Sequence, residues 1–129
     1  VYIKFVSSYG EEVHKVLSEA GFAPALRWCG RVCGGSIMVV MDEIVDGRTI
    51  EDFLERKETV TMADLKHLDD ALKLLSAKGL VHGDLRPPNV VLQRCKNSGA
   101  NMAYLIDFDW AGKEGEVRYP SYLNPDVQW

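Results

Sequence analysis

Two consecutive prolines, Pro87 and Pro88, are the feature that most limits how this chain can fold. Proline lacks a backbone N–H and fixes its φ angle, so the segment Leu80–Asn89 cannot be helical throughout. On the N-terminal side of this segment, leucines recur at helical spacing between Thr61 and Gly79. This spacing predicts a helix that ends at Gly79 and packs its leucines into the core. The leucines are Leu65, Leu68, Leu72 and Leu75.

On the C-terminal side of the prolines, two short apolar runs predict strands. They cover Val90–Gln93 and Tyr104–Asp107, and a polar turn over Arg94–Asn101 joins them. From Ala111 to Trp129 no regular hydrophobic period remains, so this stretch is predicted to be a tail.

The first forty residues carry strand and helix signals in turn. The β-branched and aromatic run Val1–Val6 predicts a strand. Ser8 with Glu11 predicts a capping box at the start of a helix over Glu11–Ala20. Two apolar runs, Ala25–Cys33 and Ser36–Met41, flank a Gly-Gly pair and predict an antiparallel hairpin.

Further along, turn and cap residues divide the chain again. Asp46 and Gly47 mark a turn, and Thr49 is predicted to cap a short helix through Leu54. Thr61 is predicted to cap the leucine-rich helix. Strands and helices are segregated along the chain, which indicates an α+β fold rather than an alternating parallel sheet.

Composition excludes several classes of protein. The 129 residues are 47% hydrophobic, but no apolar run is long enough to cross a membrane. A net charge of −4 without a basic cluster argues against a nucleic-acid partner. The three cysteines form no paired CxxC motif, so we expect neither a disulfide framework nor a zinc site. A reducing setting, the cytoplasm or the nucleus, fits better, and the N-terminus lacks a secretory signal pattern. We take the cytoplasm as the expected location.

Three side chains carry hard oxygen donors on predicted loops and strand ends. They are Asp84, Asn89 and Asp107. Such groups suit Mg²⁺, which takes a few protein oxygens and completes its shell with water and phosphate. A carboxylate beside the metal could also accept a proton from a hydroxyl nucleophile. Alternatively, all three side chains could cap turns, and composition alone favours that interpretation.

The spacing of these residues favours a functional role over turn capping. His82–Asp84 with Asn89, followed by a hairpin into Asp107–Phe108, resembles the catalytic loop and metal motif of the protein-kinase-like superfamily. The resemblance extends from Val1 to about Tyr119. Within the superfamily, the sequence is nearest to choline- and aminoglycoside-type phosphotransferases and to fungal kinase-like proteins with the runs HGDLRPPN and LIDFDWAGKEGEVRYP.

The resemblance implies a partial bilobal fold, with an incomplete antiparallel sheet plus one helix above and the start of a helical lobe below. Residues 1–45 would form the partial upper lobe and hinge, and residues 46–129 the partial lower lobe with the catalytic loop and metal motif. It also implies truncation at both ends, because no glycine-rich phosphate loop precedes Val1 and no completing helices follow Trp110.

The resemblance assigns roles to individual residues, with ATP and Mg²⁺ as the cofactors. Asp84 would be the catalytic base, and Arg86 could approach the transferred phosphate or merely pair with a surface carboxylate. Asn89 and Asp107 would hold the metal ion. The nucleotide would be bound by five residues, which are Lys4, Glu12, Met41, Asp42 and Ile44. In this group Lys4 reaches the phosphates, Met41 is the gatekeeper, and the carbonyl of Asp42 and the amide of Ile44 meet adenine.

Glu12 is preferred to Glu11 as the partner of Lys4, because Glu12 flanks the apolar face of its helix while Glu11 points away from it. The family role of His82 is to pack and hydrogen-bond under the metal motif. His14 is expected at the surface or on a flank. Asp109 stands where many relatives have glycine and is expected to be a solvated turn carboxylate, or else to support a second cation.

The expected function is transfer of the γ-phosphoryl group of ATP to a hydroxyl acceptor, a small molecule or a protein. Alternatives are a non-catalytic kinase-like module that binds nucleotide or protein, and a truncated product without an independent role. Neither nucleic acid nor a membrane is expected as a partner.

Overall fold

The computed structural model of the protein describes residues 1–94 and 101–115. The predicted turn over Arg94–Asn101 lies almost entirely outside these residues, as do Cys95 and the predicted tail beyond Gly115. The part of the family resemblance that reaches Tyr119 is outside them as well.

The described part of the chain contains three helices and eight strands. In chain order they are β1 (Tyr2–Val6), α1 (Glu11–Glu19), β2 (Leu26–Arg31), β3 (Ile37–Met41), β4 (Gly47–Thr49), α2 (Ile50–Glu55), α3 (Met62–Ala77), β5 (Leu80–Val81), β6 (Val90–Arg94), β7 (Asn101–Leu105) and β8 (Gly112–Lys113). One 3₁₀ turn, Pro87–Asn89, carries the two prolines immediately before β6.

The strands form three antiparallel sheets. The first sheet has the order β1-β3-β2, the second β4-β6-β7, and the third pairs β5 with β8. In the first sheet Tyr2 faces Met41 and Lys4 faces Val39 across the ladder. The predicted hairpin is confirmed as β2 and β3, and its turn uses Gly34 and Gly35 at φ angles of 90° and 82°. The predicted α+β class is also confirmed.

The predicted N-terminal caps of α2 and α3 both form. Thr49 Oγ1 accepts a hydrogen bond of 3.1 Å from the Asp52 amide at the start of α2. At α3, the Thr61 hydroxyl accepts from the Asp64 amide at 3.2 Å, and the Asp64 carboxylate accepts from the Thr61 amide at 3.0 Å. These two bonds make a complete capping box, which satisfies amides that the helix itself leaves unpaired.

The predicted cap of α1 is wrong. The helix begins at Glu11 with Gly10 as its N-cap and with no capping side chain. Ser8 instead donates a hydrogen bond of 2.8 Å to the backbone carbonyl of Asp109. A Cβ atom at Gly10 would lie 2.5 Å from that of Ala111, so close packing against the segment after β7 requires glycine at the cap.

The predicted leucine stripe is wrong at its first member. Leu65 is 41% exposed, whereas Leu75 is buried. The fully buried positions of α3 are Asp64, Ala71 and Leu75, and Leu65 lies roughly a quarter turn from their face at 3.6 residues per turn. Two other elements were not predicted. They are β4, directly after the turn at Asp46, and the two-residue ladder of β5 with β8.

One hydrophobic cluster joins both halves of the described chain. It contains Val13 and Leu17 from α1 together with Leu75 from α3 and Leu105 from β7. The Leu105 amide of β7 also donates a hydrogen bond of 2.8 Å to the Phe22 carbonyl, which lies in the segment between α1 and β2. The helices α1 and α3 and the second sheet therefore share one core. Among residues 1–94 and 101–115, none of the helices combines the length and the hydrophobicity that a membrane span requires.

Candidate active site

A cleft of about 390 Å³ opens between the first and second sheets. Of the nine residues predicted from the sequence to form the site, six line it. They are Lys4, Met41, Asp42, Ile44, Asn89 and Asp107. The cleft has the size of a small-molecule site, and most of its remaining wall is apolar.

Asp107 enters the cleft from a left-handed turn after β7. Its φ angle is 62°, a conformation that Asp adopts more readily than most residues. The preceding residue, Ile106, donates its amide to the Asn89 carbonyl at 3.0 Å, which holds the end of β7 beside the proline-containing turn. Phe108 is fully buried, so the chain is anchored directly after Asp107. These contacts turn the Asp107 carboxylate, 39% exposed, towards the cleft.

Asp84, Arg86 and Asn89 form a hydrogen-bonded group beside the cleft. Arg86 Nε donates to Asp84 Oδ1 at 2.8 Å, and Asn89 Nδ2 donates to Asp84 Oδ2 at 3.0 Å and to the Asp84 carbonyl at 2.8 Å. Asp84 and Asn89 are buried. Of the two alternatives for Arg86, the structure has an ion pair, and its described partner is the buried carboxylate of Asp84. The Asn89 oxygen, which is the atom a cation would use, accepts no hydrogen bond from the described residues.

His82 connects the two loops that carry these groups. Its Nε2 donates to the Ile106 carbonyl at 2.7 Å, and its Nδ1 accepts from the Asp84 amide at 3.2 Å. Burial lowers the pKa of His82, so the ring is neutral and can accept at Nδ1. The imidazole also contacts the Phe108 ring edge-on, with centroids 5.2 Å apart. This arrangement matches the packing role expected of His82.

Gly83 allows this loop to approach the segment after β7. It has a φ angle of 87°, and a Cβ atom there would lie 2.2 Å from the Trp110 carbonyl oxygen. No side chain fits this position without moving the backbone. Glycine at position 83 is therefore a steric requirement of this structure.

The structure does not bring Glu12 to Lys4. The Lys4 ammonium lies 2.6 Å from Asp109 Oδ1 and 3.8 Å from Asp107 Oδ1, and it forms no ion pair with Glu12. Glu12 lines a shallow surface hollow on α1 instead of the cleft. Asp109 lies in a turn, as expected, but its carboxylate is paired with Lys4 and is not simply solvated. Burial raises the pKa of Asp109 and the charge of Asp107 adds to this, while the hydrogen bond from Lys4 opposes it.

The segment after β3 presents free backbone groups. The Asp42 amide donates to the Ala25 carbonyl at 3.0 Å, whereas the Asp42 carbonyl and the Ile44 amide form no hydrogen bond with other described residues. The Asp42 side chain is held by a two-pronged ion pair with Arg27, at 2.7 and 2.6 Å. The hydrogen bond from Arg27 lowers the pKa of Asp42. A planar ligand in the cleft would therefore meet one backbone acceptor and one backbone donor.

Sequence reasoning missed several residues of the cleft. Tyr2, Gly47, Val91 and Ile106 line it alongside the predicted residues. Tyr2 could have been found, because residues two apart on a strand share a face and Lys4 was already assigned to the site. The expectation that His14 lies at the surface or on a flank is also wrong, since His14 is fully buried. Its place on the helix wheel, next to Val13 and Leu17, was the available signal.

The donors in the cleft fit a hard cation that binds phosphate. Within the described residues there is no cluster of three or more His, Cys, Asp or Glu side chains that could hold a metal ion alone. Asp107 and Asn89 instead offer two oxygen donors in one cleft, which suits Mg²⁺ because this ion retains waters and shares phosphate oxygens. Lys4 supplies a positive charge at the same place.

Several known proteins are similar to this chain in sequence or in fold. Residues 40–113 match APH, described as the phosphotransferase enzyme family. The serine/threonine-protein kinase unc-51 of Caenorhabditis elegans is 32% identical over 89 residues, which are 66% of this chain and 10% of that protein. The chain thus spans a tenth of the length of this curated relative.

Two solved structures superpose on the chain. A crystal structure of monomeric WbdD does so with a TM-score of 0.58 and 32% identity, covering 80% of this chain and 24% of that one. The kinase PK-1 of the Cydia pomonella granulovirus does so with a TM-score of 0.63 and 22% identity, covering 88% of this chain and 42% of that one. The expectation of a partial protein-kinase-like fold is therefore confirmed.

Proposed function

The chain belongs to the phosphotransferase enzyme family, and from this premise we propose that it binds ATP with Mg²⁺ in the cleft and transfers the γ-phosphoryl group to a hydroxyl acceptor. The acceptor is a small molecule or a protein side chain. One observation carries the proposal: six residues that the family motifs select, drawn from distant parts of the sequence, line one cleft of about 390 Å³.

In this proposal different residues of the cleft bind the adenine, the phosphates and the metal ion. The carbonyl of Asp42 and the amide of Ile44 meet adenine, beside Met41. Lys4 attracts the phosphates, and Asn89 and Asp107 hold the metal ion. When bound, Mg²⁺ neutralises phosphate charge and fixes the phosphate geometry. The residues before and after about position 45 act as the two lobes, with the free backbone groups of Asp42 and Ile44 at the hinge.

Asp84 acts on the acceptor. Its carboxylate has four lone pairs, and the described hydrogen bonds from Arg86 and Asn89 occupy three of them, one at a long 3.5 Å. The remaining lone pair accepts the acceptor's hydroxyl proton. The hydroxyl oxygen forms a bond to the γ-phosphorus, the bond from that phosphorus to the β–γ bridging oxygen breaks, and ADP leaves with the electron pair. Arg86 orients Asp84 and lies near the transferred group.

The alternative function is nucleotide binding without transfer. The close ion pair of Asp84 with Arg86, at 2.8 Å, favours it, because this contact competes with an acceptor for the same carboxylate. The experiment therefore has to separate binding from turnover.

The test measures ATP binding to the whole chain by isothermal titration calorimetry, with and without MgCl₂. We expect Mg²⁺-dependent binding that Asp107→Asn weakens by at least about tenfold, since even outer-shell partners of metal sites contribute that much. The matched control is Asp46→Asn, because Asp46 is also an aspartate at positive φ, 57°, but lies in an exposed turn. Equal affinity in the two variants would exclude the proposed metal site.

Turnover is measured as ADP release in the presence of small alcohols, amino sugars, choline or hydroxyl-bearing peptides. Asp84→Asn should retain binding and lose transfer. Binding without ADP release from the unchanged chain would support the non-catalytic alternative.

A further inference from the structure

The ammonium group of Lys4 has one close carboxylate partner among the described residues, and it is not on α1. Asp109 Oδ1 lies 2.6 Å from Lys4 Nζ, a distance typical of a strong charge-assisted hydrogen bond. Asp107 Oδ1 is farther away, at 3.8 Å. The Lys4 ammonium also lies over the Tyr9 ring, 5.1 Å from the ring centroid. Only 18% of the Lys4 side chain is exposed, so this contact is partly shielded from solvent.

The acidic residues of α1 are engaged elsewhere or face outward. Glu11 pairs with Lys15 one turn later on the same helix, at 3.1 Å. Glu12 has no ion pair in the described part of the chain. Both line the same surface hollow as Glu19, at the exposed side of α1. The helix therefore supplies no carboxylate to Lys4.

Asp109 is held in place through its backbone, independently of Lys4. The Ser8 hydroxyl donates to the Asp109 carbonyl at 2.8 Å. The Gly10 amide donates to the Phe108 carbonyl at 2.7 Å, and the Phe108 ring is fully buried. Because the backbone at Asp109 is already anchored and its side chain is short, little conformational entropy is lost when its carboxylate pairs with the flexible lysine.

We propose that Asp109 is the positioning residue for Lys4, in the place that the sequence had given to Glu12 on α1. The inference rests on the proposed function, in which Lys4 meets the nucleotide phosphates. It means that one short loop carries both the metal-binding carboxylate of Asp107 and the group that directs the phosphate-binding lysine. The rival role for Asp109 is that of a second cation ligand.

The first experiment examines Lys4 without nucleotide. The native chain is acylated with an amine-specific reagent, and the modification rate of each lysine is measured by mass spectrometry. Because an ion pair protects an amine from acylation, we expect Asp109→Asn to raise the rate at Lys4 several-fold relative to the other lysines. The matched control is Glu19→Gln, an exposed acid of α1 without an ion pair in the described residues. It should leave the Lys4 rate unchanged.

Glu12→Gln decides between the two carboxylates. A higher acylation rate of Lys4 in this variant, or no higher rate in Asp109→Asn, would overturn the inference, whether or not the chain binds ATP.

Urea unfolding of Lys4→Met, Asp109→Asn and the double variant gives a second readout. If the ion pair stabilises the fold, the free energies of unfolding lost in the two single variants add up to more than the free energy lost in the double variant.

The last experiment connects the pair to the nucleotide. ATP affinity should fall by a similar factor in Lys4→Met and Asp109→Asn, the two effects should not add, and Asp109→Glu should recover part of the loss. Wild-type affinity in Asp109→Asn beside a loss in Lys4→Met would reduce Asp109 to a structural contact and overturn the inference. A changed Mg²⁺ requirement in Asp109→Asn, with no coupling to Lys4, would establish the second-cation role instead. Failure of the unchanged chain to bind ATP would defeat the proposed function alone, since the acylation result does not depend on ATP.

Discussion

The imidazole of His14 stacks on the ring of Phe108, with the ring centroids 4.6 Å apart and an angle of 22° between the planes. Both rings are fully buried. The Pro24 carbonyl can only accept, so His14 Nε2 donates to it, at 2.7 Å, and Nδ1 accepts from the Tyr9 hydroxyl at 2.6 Å. Burial lowers the pKa of His14 and raises that of Tyr9, so both groups are neutral in this network. Phe108, the residue after Asp107, is therefore packed against an uncharged histidine.

Stability should decrease in mildly acidic solution. The pKa values of His14 and His82 are lowered from 6.5 in the folded state, so the unfolded chain binds more protons below that pH. We expect the free energy of unfolding to be level above pH 6.5 and to fall as the pH drops below it, towards the folded pKa values. The loss is at most about 1.4 kcal/mol per pH unit for each imidazole. Urea unfolding from pH 7.5 to 5.5 measures it.

The variant His14→Phe isolates one of the two groups. It keeps a ring on Phe108 but loses two hydrogen bonds, so it is less stable at every pH. Its stability should nevertheless depend less steeply on pH than that of the unchanged chain. Identical slopes would show that His14 does not titrate differently in the two states.

Gly83→Ala should disrupt the loop between β5 and β6. The added Cβ would lie 2.2 Å from the Trp110 carbonyl oxygen, at a φ angle of 87°. Strain and steric overlap together should destabilise the fold by about 2–4 kcal/mol. The control is Gly21→Ala, with a similar φ of 85° but no atom within 4 Å of the new Cβ. Thermal unfolding of the two variants separates steric overlap from backbone strain, and equal losses would mean that the contact with Trp110 is unimportant.

His82→Phe should separate the loop after β5 from the loop after β7 while keeping an aromatic ring at this position. It removes the donor to the Ile106 carbonyl and the acceptor for the Asp84 amide. Each buried backbone group left unpaired costs about 1–3 kcal/mol. We therefore expect lower stability in urea and weaker Mg²⁺-dependent ATP binding. Wild-type stability in this variant would mean that water or a shifted backbone replaces both bonds.

Thr61→Ala should weaken α3 alone. It removes the hydroxyl that accepts from the Asp64 amide, and the loss of such a cap typically costs about 1 kcal/mol. Thr59→Ala is the control, because Thr59 is exposed and precedes the helix. ATP affinity should be the same in both variants. A change in affinity for Thr61→Ala would show that α3 influences the cleft.

Local signals explain what the sequence could predict. The cap at Thr61, the glycine turns and the proline-containing loop each depend on residues that are neighbours in the chain. The cleft residues were predictable because the catalytic-loop and metal motifs keep a fixed spacing on either side of one hairpin. Tyr2 could also have been predicted, since it lies two residues before Lys4 on β1 and therefore on the same face of the strand.

Long-range contacts explain what the sequence could not predict. On the helix wheel Glu12 was the reasonable partner for Lys4, but Lys4 and Asp109 are separated by 105 positions and no local pattern connects them. The ladder of β5 with β8 is only two residues long, too short to show a period. Ser8 has a good capping side chain, yet a tertiary hydrogen bond to Asp109 outweighs that propensity.

The contacts that fix Asp109 have a consequence for biosynthesis. They join the first ten residues to a segment made about a hundred residues later, at separations of 105 and 101 positions. Closing so long a loop is entropically costly until the intervening chain is ordered, whereas hairpins and helices form from nearby residues. On the ribosome, β1 can pair with β3 long before Asp109 has been translated. The growing polypeptide can therefore form its first sheet before the lysine–aspartate pair, which has to wait until Asp109 has been translated.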